Sequence, residues 1–317
     1  MQVLLLPDLT LADRPDPTPG EREVLVAVRA VGLNRADLLQ RVGRYPAPSG
    51  WPADIPGLEF AGTVVARGPG AARFGLGDRV MGLVGGGAMS ELLAVHEEEV
   101  LAVPDRCTDA EAAAIPEAFL TAWDALVLRG RVERGDRVLI HAVGSGVGTA
   151  AVQFGAIFGL TMLGTSRTAD KLERCRALGL HRGILAGDPE WPAAVGEPVQ
   201  VIIDTLGASA LAANLDLLAP LGRLVVLGTM TGATAPIDLG VVLRKRLTIV
   251  GTAMRSRGSV ERRALLARFS ADVMPHLASG EVQPMVDSLV PMAEAARGYD
   301  LLTSNATFGK VVLTWPT

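Results

Sequence analysis

The sequence predicts an α/β protein in which a doubly wound parallel sheet is joined to a second, β-rich unit. Three observations carry this. Residues 137–143 form a Val/Leu/Ile-rich run, long enough for one buried strand and too short for a helix, which leads into Val143-Gly144-Ser145-Gly146-Val147-Gly148 and an Ala-rich amphipathic segment. From there to residue 251, short apolar runs alternate with helical stretches, as in βα units stacked in a parallel sheet covered on both faces. Residues 2–111, by contrast, are strand-rich and punctuated by Gly and Pro, which suits an antiparallel, partly barrel-like arrangement.

In the first stretch, 24–31 alternates large apolar residues with others, as a half-buried strand does, and 60–66 reads as another. Between them 34–40 suits a short helical turn, followed by a loop with Arg44-Tyr45-Pro46, and 74–80 has the shape of a turn feeding a strand. Over 110–129, Ala112, Ala113, Ile115, Phe119, Leu120, Trp123 and Leu126 recur at helical spacing, with Pro116 interrupting. Strands are expected at 137–143, 161–165, 183–185, 199–204, 223–227 and 247–251, and helices through 149–158, 169–178 and 208–218. A helix near 259–279 follows, and a last strand at 310–313 is expected to return to the first domain. The implied division is 1–114 with 256–317, and 115–255.

At 317 residues the chain has room for two cores. It is 49% hydrophobic and 20% charged, ordinary for a soluble α/β protein. Net charge is −4, the sequence pI is about 5.7, and the densest basic cluster, Arg244-Lys245-Arg246, reads as a solvated loop. Nucleic acid is therefore not an expected partner. No apolar stretch reaches the ~20 residues that span a bilayer. The start reads as a strand, without a signal-peptide pattern. Cys107 and Cys175 show no metal or disulfide spacing, and a reducing cytoplasm is the expected location. The four histidines are scattered, and His141, inside an expected strand, reads as a hydrogen-bonded core or loop support.

In a βαβ setting, loop glycines make a tight turn and let the backbone approach a pyrophosphate, which the N–H groups of the new helix receive. A strict G-x-G-x-x-G has Gly where this chain has Val143 and Ser145, so the loop alone is a weak signal. Read with its flanking elements, it predicts a dinucleotide site at Gly144, Ser145, Gly146 and Val147. NAD sites place Asp or Glu at the end of the second strand, ~20 residues on. Here Thr165-Ser166-Arg167 stand there, with Lys171 one turn further. Hydroxyls and a guanidinium suit a 2′-phosphate, which favours NADPH as the cofactor. The alternative is that Arg167 and Lys171 only solvate a helix start.

Longer blocks extend the pattern: Leu33-Asn34-Arg35-Ala36-Asp37-Leu38, Gly43-Arg44-Tyr45, Pro56-Gly57-Leu58-Glu59, Ala114-Ile115-Pro116-Glu117-Ala118 with Leu120-Thr121-Ala122, His141-Ala142 with Ser145-Gly146-Val147-Gly148-Thr149-Ala150, and Gly309-Lys310. In this order, over nearly the whole chain, they resemble the zinc-free quinone oxidoreductases, the zeta-crystallin-like branch of the medium-chain dehydrogenase/reductase superfamily. They are especially similar to its tumour-suppressor-inducible NADPH:quinone reductase type. The resemblance implies a chaperonin-10-like catalytic domain built from both ends of the chain and a central Rossmann domain. It implies no metal site, because zinc-dependent relatives place Cys, His and Cys where this chain has Asn34, Leu58 and Glu117.

For catalysis the resemblance implies Tyr45, Asn34 and Asp37, with Tyr45 donating a hydrogen bond to the quinone oxygen as charge develops there. For the cofactor it implies contacts from Asn34, Thr121, Ser145, Gly146 and Val147. Gly228-Thr229-Met230 would flank the nicotinamide ribose, and Phe308-Gly309-Lys310 would close the site. Plainer roles stay open: Tyr45 as a packing lid, Asp37 as a helix-start residue orienting Arg35 or backbone groups, and Asn34 as a turn former. One departure is Ala186, where relatives carry a Tyr near the adenosine phosphate. The apolar edge strand at 247–252 needs pairing or cover, and the resemblance, in which the equivalent strand pairs across a twofold axis, implies a homodimer.

The expected activity is zinc-independent hydride transfer from NADPH to quinones or related activated carbonyls. Two alternatives stand beside it. One is an enoyl-thioester or alkenal double-bond reductase, for which Tyr45 is the candidate acid. The other is an NADPH-binding structural or RNA-binding crystallin-like protein, against which the acidic pI speaks.

Overall fold

Two short strands, β1 (Gln2–Leu5) and β2 (Thr10–Asp13), pair antiparallel at the start of residues 1–316, the part of the chain that the computed structural model describes. The chain divides into one unit of Met1–Leu120 with Met254–Thr317 and another of Thr121–Ala253. The joins expected at 114/115 and 255/256 lie a few residues from these.

The first unit is built on β3 (Glu23–Gly32), whose even-numbered positions are buried, as its alternation requires. After it come α1 (Arg35–Arg41), β4 (Glu59–Arg67), β5 (Arg79–Leu83), β6 (Leu92–His96), β7 (Val100–Ala102), α2 (Asp109–Ala113) and the start of α3 (Pro116–Trp123). Pro116 opens α3 at its first turn, where its missing N–H costs nothing, so the single helix expected over 110–129 is two helices followed by a π-helical turn, Asp124–Arg129. The seven-stranded sheet runs β14-β15-β3-β4-β5-β7, with β6 also on β3. The far end of the chain supplies α8 (Ser259–Ser279), the edge strand β14 (Val286–Pro291), α9 (Ala295–Ser304) and β15 (Lys310–Thr314), the neighbour of β14. β15 pairs antiparallel with β3, Val312 opposite Gly32, so the last strand does return to the first unit. Leu4, Val26, Phe60, Met89 and Tyr299 are among the core side chains.

In the second unit β8 (Arg137–Ile140), β9 (Thr161–Ser166), β10 (Arg182–Leu185), β11 (Val199–Asp204), β12 (Leu218–Val226) and β13 (Thr248–Gly251) form one parallel sheet, ordered β10-β9-β8-β11-β12-β13. The intervening helices are α4 (Gly146–Phe158), α5 (Ala169–Arg176), α6 (Leu211–Leu217) and α7 (Leu239–Lys245). This is the doubly wound Rossmann order, with its switch point where β8 is flanked by β9 and β11. Most boundaries differ from expectation by one to three residues, and two strand boundaries differ for a visible reason. β8 ends at Ile140, not 143, because Ala142 takes φ +53 and folds Val143 back so that its N–H meets the Thr165 carbonyl at 2.9 Å. Val143 is apolar because it is a buried plug in a turn, not because it extends the strand. β12 begins five residues before the expected 223, and Leu221, at φ +65, lies where its register on β11 jumps from Leu218 to Arg223. β14, α7 and α9 had no sequence signal strong enough to predict them; β14 interleaves Asp287 and Ser288 with its apolar residues.

β15 is reached through Gly309, whose φ is +87 and where an added Cβ would lie 2.1 Å from the Met285 carbonyl oxygen. Gly43, at φ +71, has nothing within 4 Å of that position. Gly309→Ala is therefore expected to lower the unfolding free energy by about 3 kcal/mol or more and Gly43→Ala by about 1 kcal/mol. Parallel urea denaturation of the two variants measures the difference.

Candidate active site

In the first unit the end of β3 passes through Leu33 into Asn34, which precedes α1 in extended conformation at φ −126 and ψ 154. Its side chain faces inward, 6% exposed. Asn34 Nδ2 donates to the Gly32 carbonyl at 3.1 Å and to Glu59 Oε1 at 2.9 Å. Lys310 Nζ donates to Asn34 Oδ1 at 2.6 Å, to the Leu33 carbonyl at 2.7 Å and to Glu59 Oε1 at 2.6 Å. The remaining Glu59 oxygen accepts the Glu117 N–H at 2.7 Å. The ends of β3, β4, β15 and α3 thus meet on one buried ion pair. Gly32 makes room for it, since a Cβ there would sit 2.4 Å from Glu59 Oε1. Lys310 Nζ thus has three acceptors here and anchors the network. Glu59 was quoted in the sequence only as matching text; a carboxylate heading the apolar run Phe60-Ala61 was the available signal.

Asp37, fully buried one turn into α1, accepts the Asn34 N–H at 2.8 Å and the Gly57 N–H at 3.1 Å. Burial pushes its carboxyl up to about 6, against those hydrogen bonds and the Lys310 charge. These two hydrogen bonds tie the helix start to the turn at 57.

Tyr45 lies half-buried in the loop after α1. The guanidinium of Arg255, a residue only 4% exposed, sits 5.1 Å from its ring centroid. Arg255 Nη1 donates to the Tyr45 carbonyl at 2.8 Å, Nε to the Gly85 carbonyl at 2.8 Å, and Nη2 to Gln40 Oε1 at 2.7 Å. Burial raises the Tyr45 phenol above its usual range; the Arg255 charge opposes this and that of Glu117 adds to it. Sequence reasoning missed Arg255, because Met254-Arg255-Ser256-Arg257 reads as a solvated polar run. Phe308, which the resemblance placed at the site, is 3% exposed, with its N–H on Asp287 Oδ1 at 2.8 Å.

In the second unit Ser145 caps α4, its Oγ accepting the Gly148 N–H at 3.1 Å. The N–H groups of Gly146 and Val147 are left at the helix start, where the dipole favours an anion. Gly148 packs directly on the turn, since a Cβ would lie 2.3 Å from the Val143 carbonyl oxygen. The methylene chain of Lys171 covers Gly144: a Cβ there would meet Lys171 Cδ at 2.9 Å. Ser166 ends β9, 6% exposed, and Arg167 follows it exposed to solvent. The structure thus brings Lys171 to the glycine loop and leaves Ser166 and Arg167 at the adjacent strand end. Gly228, Thr229 and Met230 leave β12 beside the end of β11, with the Gly228 N–H directed at the Asp204 carbonyl at 3.3 Å and the Met230 N–H at the Thr205 carbonyl at 3.3 Å. Thr121, in α3, is 8% exposed.

His141 is 1% exposed, with Nδ1 2.9 Å from Thr165 Oγ1 and Nε2 2.8 Å from Asn214 Oδ1. Burial lowers its proton affinity, so it braces β8 against β9 and α6 as a neutral ring.

Two family profiles match the chain, "Alcohol dehydrogenase GroES-like domain" over residues 20–105 and "Zinc-binding dehydrogenase" over 146–271. The quinone oxidoreductase of Pseudomonas aeruginosa is 32% identical over 302 residues, covering 93% of this chain and 92% of that protein. The structure of Escherichia coli quinone oxidoreductase complexed with NADPH superimposes with a TM-score of 0.88 at 26% identity, covering 99% of this chain and 100% of that one. That of CurK enoyl reductase gives 0.87 at 26%, covering 99% of each. The chain also matches polyketide synthases, of which it spans between 5% and 14% of the length in GfsB of Streptomyces halstedii and the mycocerosic acid synthase-like enzyme of Mycobacterium tuberculosis. The chain belongs to the medium-chain dehydrogenase/reductase superfamily of NAD(P)-dependent oxidoreductases. Among the described residues no helix is long and apolar enough to cross a membrane.

The residues at 34, 58 and 117 do not suit the zinc that the second profile's name implies. Leu58 has no ligating atom, and Asn34 Oδ1 faces an ammonium 2.6 Å away.

Asp37 gives this site a pH signature. Its folded pKa is above the unfolded 3.8, so its contribution to stability is complete below pH 3.8 and is lost as pH rises through about 6. The loss amounts to about 3 kcal/mol. Unfolding free energies measured from pH 3.5 to 7 are expected to show this decline in the parent protein and not in Asp37→Asn.

Proposed function

We propose that the protein is an NADPH-dependent, zinc-independent reductase of quinones and related activated carbonyl acceptors. The observation that carries this reading is that Leu58 offers no ligating atom and Asn34 is held in an ammonium–carboxylate–amide network with Lys310 and Glu59, in the place of a Lewis-acid site. An acceptor that gains aromaticity on reduction needs no such polarisation. The relatives named quinone oxidoreductase support the acceptor class, and the NADPH in the Escherichia coli structure supports the cofactor.

When bound, the reduced nicotinamide supplies the hydride. The N–H groups of Gly146 and Val147 would receive the pyrophosphate, with Gly144 and the Ser145 cap shaping the turn. Ser166, Arg167 and Lys171 would receive the 2′-phosphate, since the end of β9 carries Ser166 and Arg167 and not the carboxylate of an NAD site. Gly228, Thr229 and Met230 would flank the ribose, and Thr121 the nicotinamide. Tyr45 would donate its hydroxyl hydrogen to the acceptor oxygen as charge builds there. Asn34, Asp37, Gly309 and Lys310 would hold the framework on which Tyr45 stands. A second reading, reduction of an enoyl thioester with Tyr45 as the acid, is favoured by the likeness to CurK enoyl reductase.

We also infer a homodimer through β13. That strand is the sheet edge, Ile249 on it is 40% exposed, and Leu239 and Leu243 of α7 are 69% and 77% exposed. Light scattering is expected to give twice the chain mass, and a monomer from Ile249→Lys.

Steady-state oxidation of NADPH and NADH with 9,10-phenanthrenequinone and crotonyl thioester, with and without EDTA, tests the activity. The expected result is quinone turnover with NADPH preferred about tenfold or more and no loss in EDTA. Turnover with the thioester alone transfers the assignment to the second reading, and loss in EDTA removes zinc independence.

A further inference from the structure

We infer that Arg255 is a positioning residue for Tyr45, clamping the phenol that meets the acceptor and thereby setting which acceptors are reduced. This rests on the reading of Tyr45 above.

Arg255 is an unusual arginine. It is 4% exposed, yet its three nitrogens donate to neutral oxygens only: Gln40 Oε1 of α1, the Tyr45 carbonyl in the loop after α1, and the Gly85 carbonyl in the loop after β5. A guanidinium buried on neutral partners costs more than one paired with a carboxylate, so core stability alone gives little reason for it. What the geometry achieves is alignment. The planar fork ties three separate segments at fixed angles, which a flexible ammonium cannot do. Its face lies 5.1 Å from the Tyr45 ring centroid, so the same group holds both the backbone and the ring of Tyr45.

Gly85, whose carbonyl Arg255 Nε meets, packs closely against Trp51. A Cβ on Gly85 would lie 2.4 Å from the Trp51 ring, and one on Gly86 3.6 Å from Arg255 Nη2. The Tyr45 hydroxyl itself has no partner among the described residues, so the clamp orients a donor that is left available. Three charged groups share this neighbourhood: Arg255 and Glu117 act on Tyr45 with opposite sign, and Asp37 of α1 acts on Arg255. A hydrogen-bond donor helps an oxygen that is gaining charge only if it is held to within about 0.5 Å. Loosening it should penalise quinones more than it penalises nucleotide binding.

The chain has two tyrosines, and Tyr299 is 1% exposed in the core with its phenol pushed far up, so an ultraviolet titration at high pH reports Tyr45 alone. In Arg255→Met the charge and the fork are both lost, and Tyr45 is expected to titrate higher than in the parent, since the charge that lowers it is gone. In Arg255→Lys the charge stays and the fork is lost, so Tyr45 is expected to titrate as in the parent. The KM for 9,10-phenanthrenequinone is expected to rise about tenfold in Arg255→Lys, with the Kd for NADPH within twofold of the parent. In the Tyr45→Phe background the same Arg255→Lys change should have no further effect on KM. The inference is overturned if Arg255→Lys leaves the quinone KM unchanged, if it costs as much beside Phe at position 45, or if Tyr45 titrates identically in Arg255→Met. A parent protein that reduces no quinone counts against the proposed function only, and the titration then decides whether Arg255 governs Tyr45.

Discussion

The buried pair between Lys310 and Glu59 is the interaction on which the first unit's site depends. It joins residues 251 positions apart, the first residue of β15 to the first residue of β4, and Asn34 bridges the two. Removing either charge would strand the other in the interior, a change that costs about 3–5 kcal/mol in buried pairs generally. Every remaining valence of the pair is met: the ammonium has three acceptors, and the carboxylate takes N–H groups from Asn34 and Glu117. That completeness is what makes a buried ion pair tolerable. It also makes the chain's last strand a structural part of the site, not an appendage.

The same place in zinc-dependent members of the superfamily is where the resemblance puts metal ligands. Here the Lys310 ammonium stands 2.6 Å from Asn34 Oδ1, a fixed positive charge at that place. Asp37 and Tyr45, next along the chain, are then governed by burial and by neighbouring side chains: Lys310 and Glu59 for Asp37, and Arg255 and Glu117 for Tyr45. The chemistry available is accordingly that of positioned donors.

In the second unit close backbone approach is the controlling constraint. Gly148 against Val143, Gly155 against Met162 and Gly164 against Val143 bring α4, the turn and β9 nearer than any Cβ would permit. The tight turn places Ser145 as the cap and presents the next two N–H groups. The departures from the glycine fingerprint, Val143 and Ser145, are accommodated because one is the plug of the turn and the other its cap.

The alternation of apolar runs with amphipathic segments determined the Rossmann sheet, because strand and helix periods are local properties of the chain. Strand β11 and helix α8 have the extents that alternation predicts. The glycine loop and the blocks from Leu33-Asn34 to Gly309-Lys310 determined the superfamily in the same way, since each is a short contiguous string. What the sequence could not show is which polar residues turn inward. Glu59 and Arg255 look like surface charges in one dimension, and each is buried only because a partner from distant sequence meets it: Lys310 for the first, Gln40, Tyr45 and Gly85 for the second. Burying a charge is favourable only where several such partners converge. That convergence is a property of the tertiary fold, and it alone decided that Lys310 serves as an anchor and Tyr45 stands clamped beside an arginine.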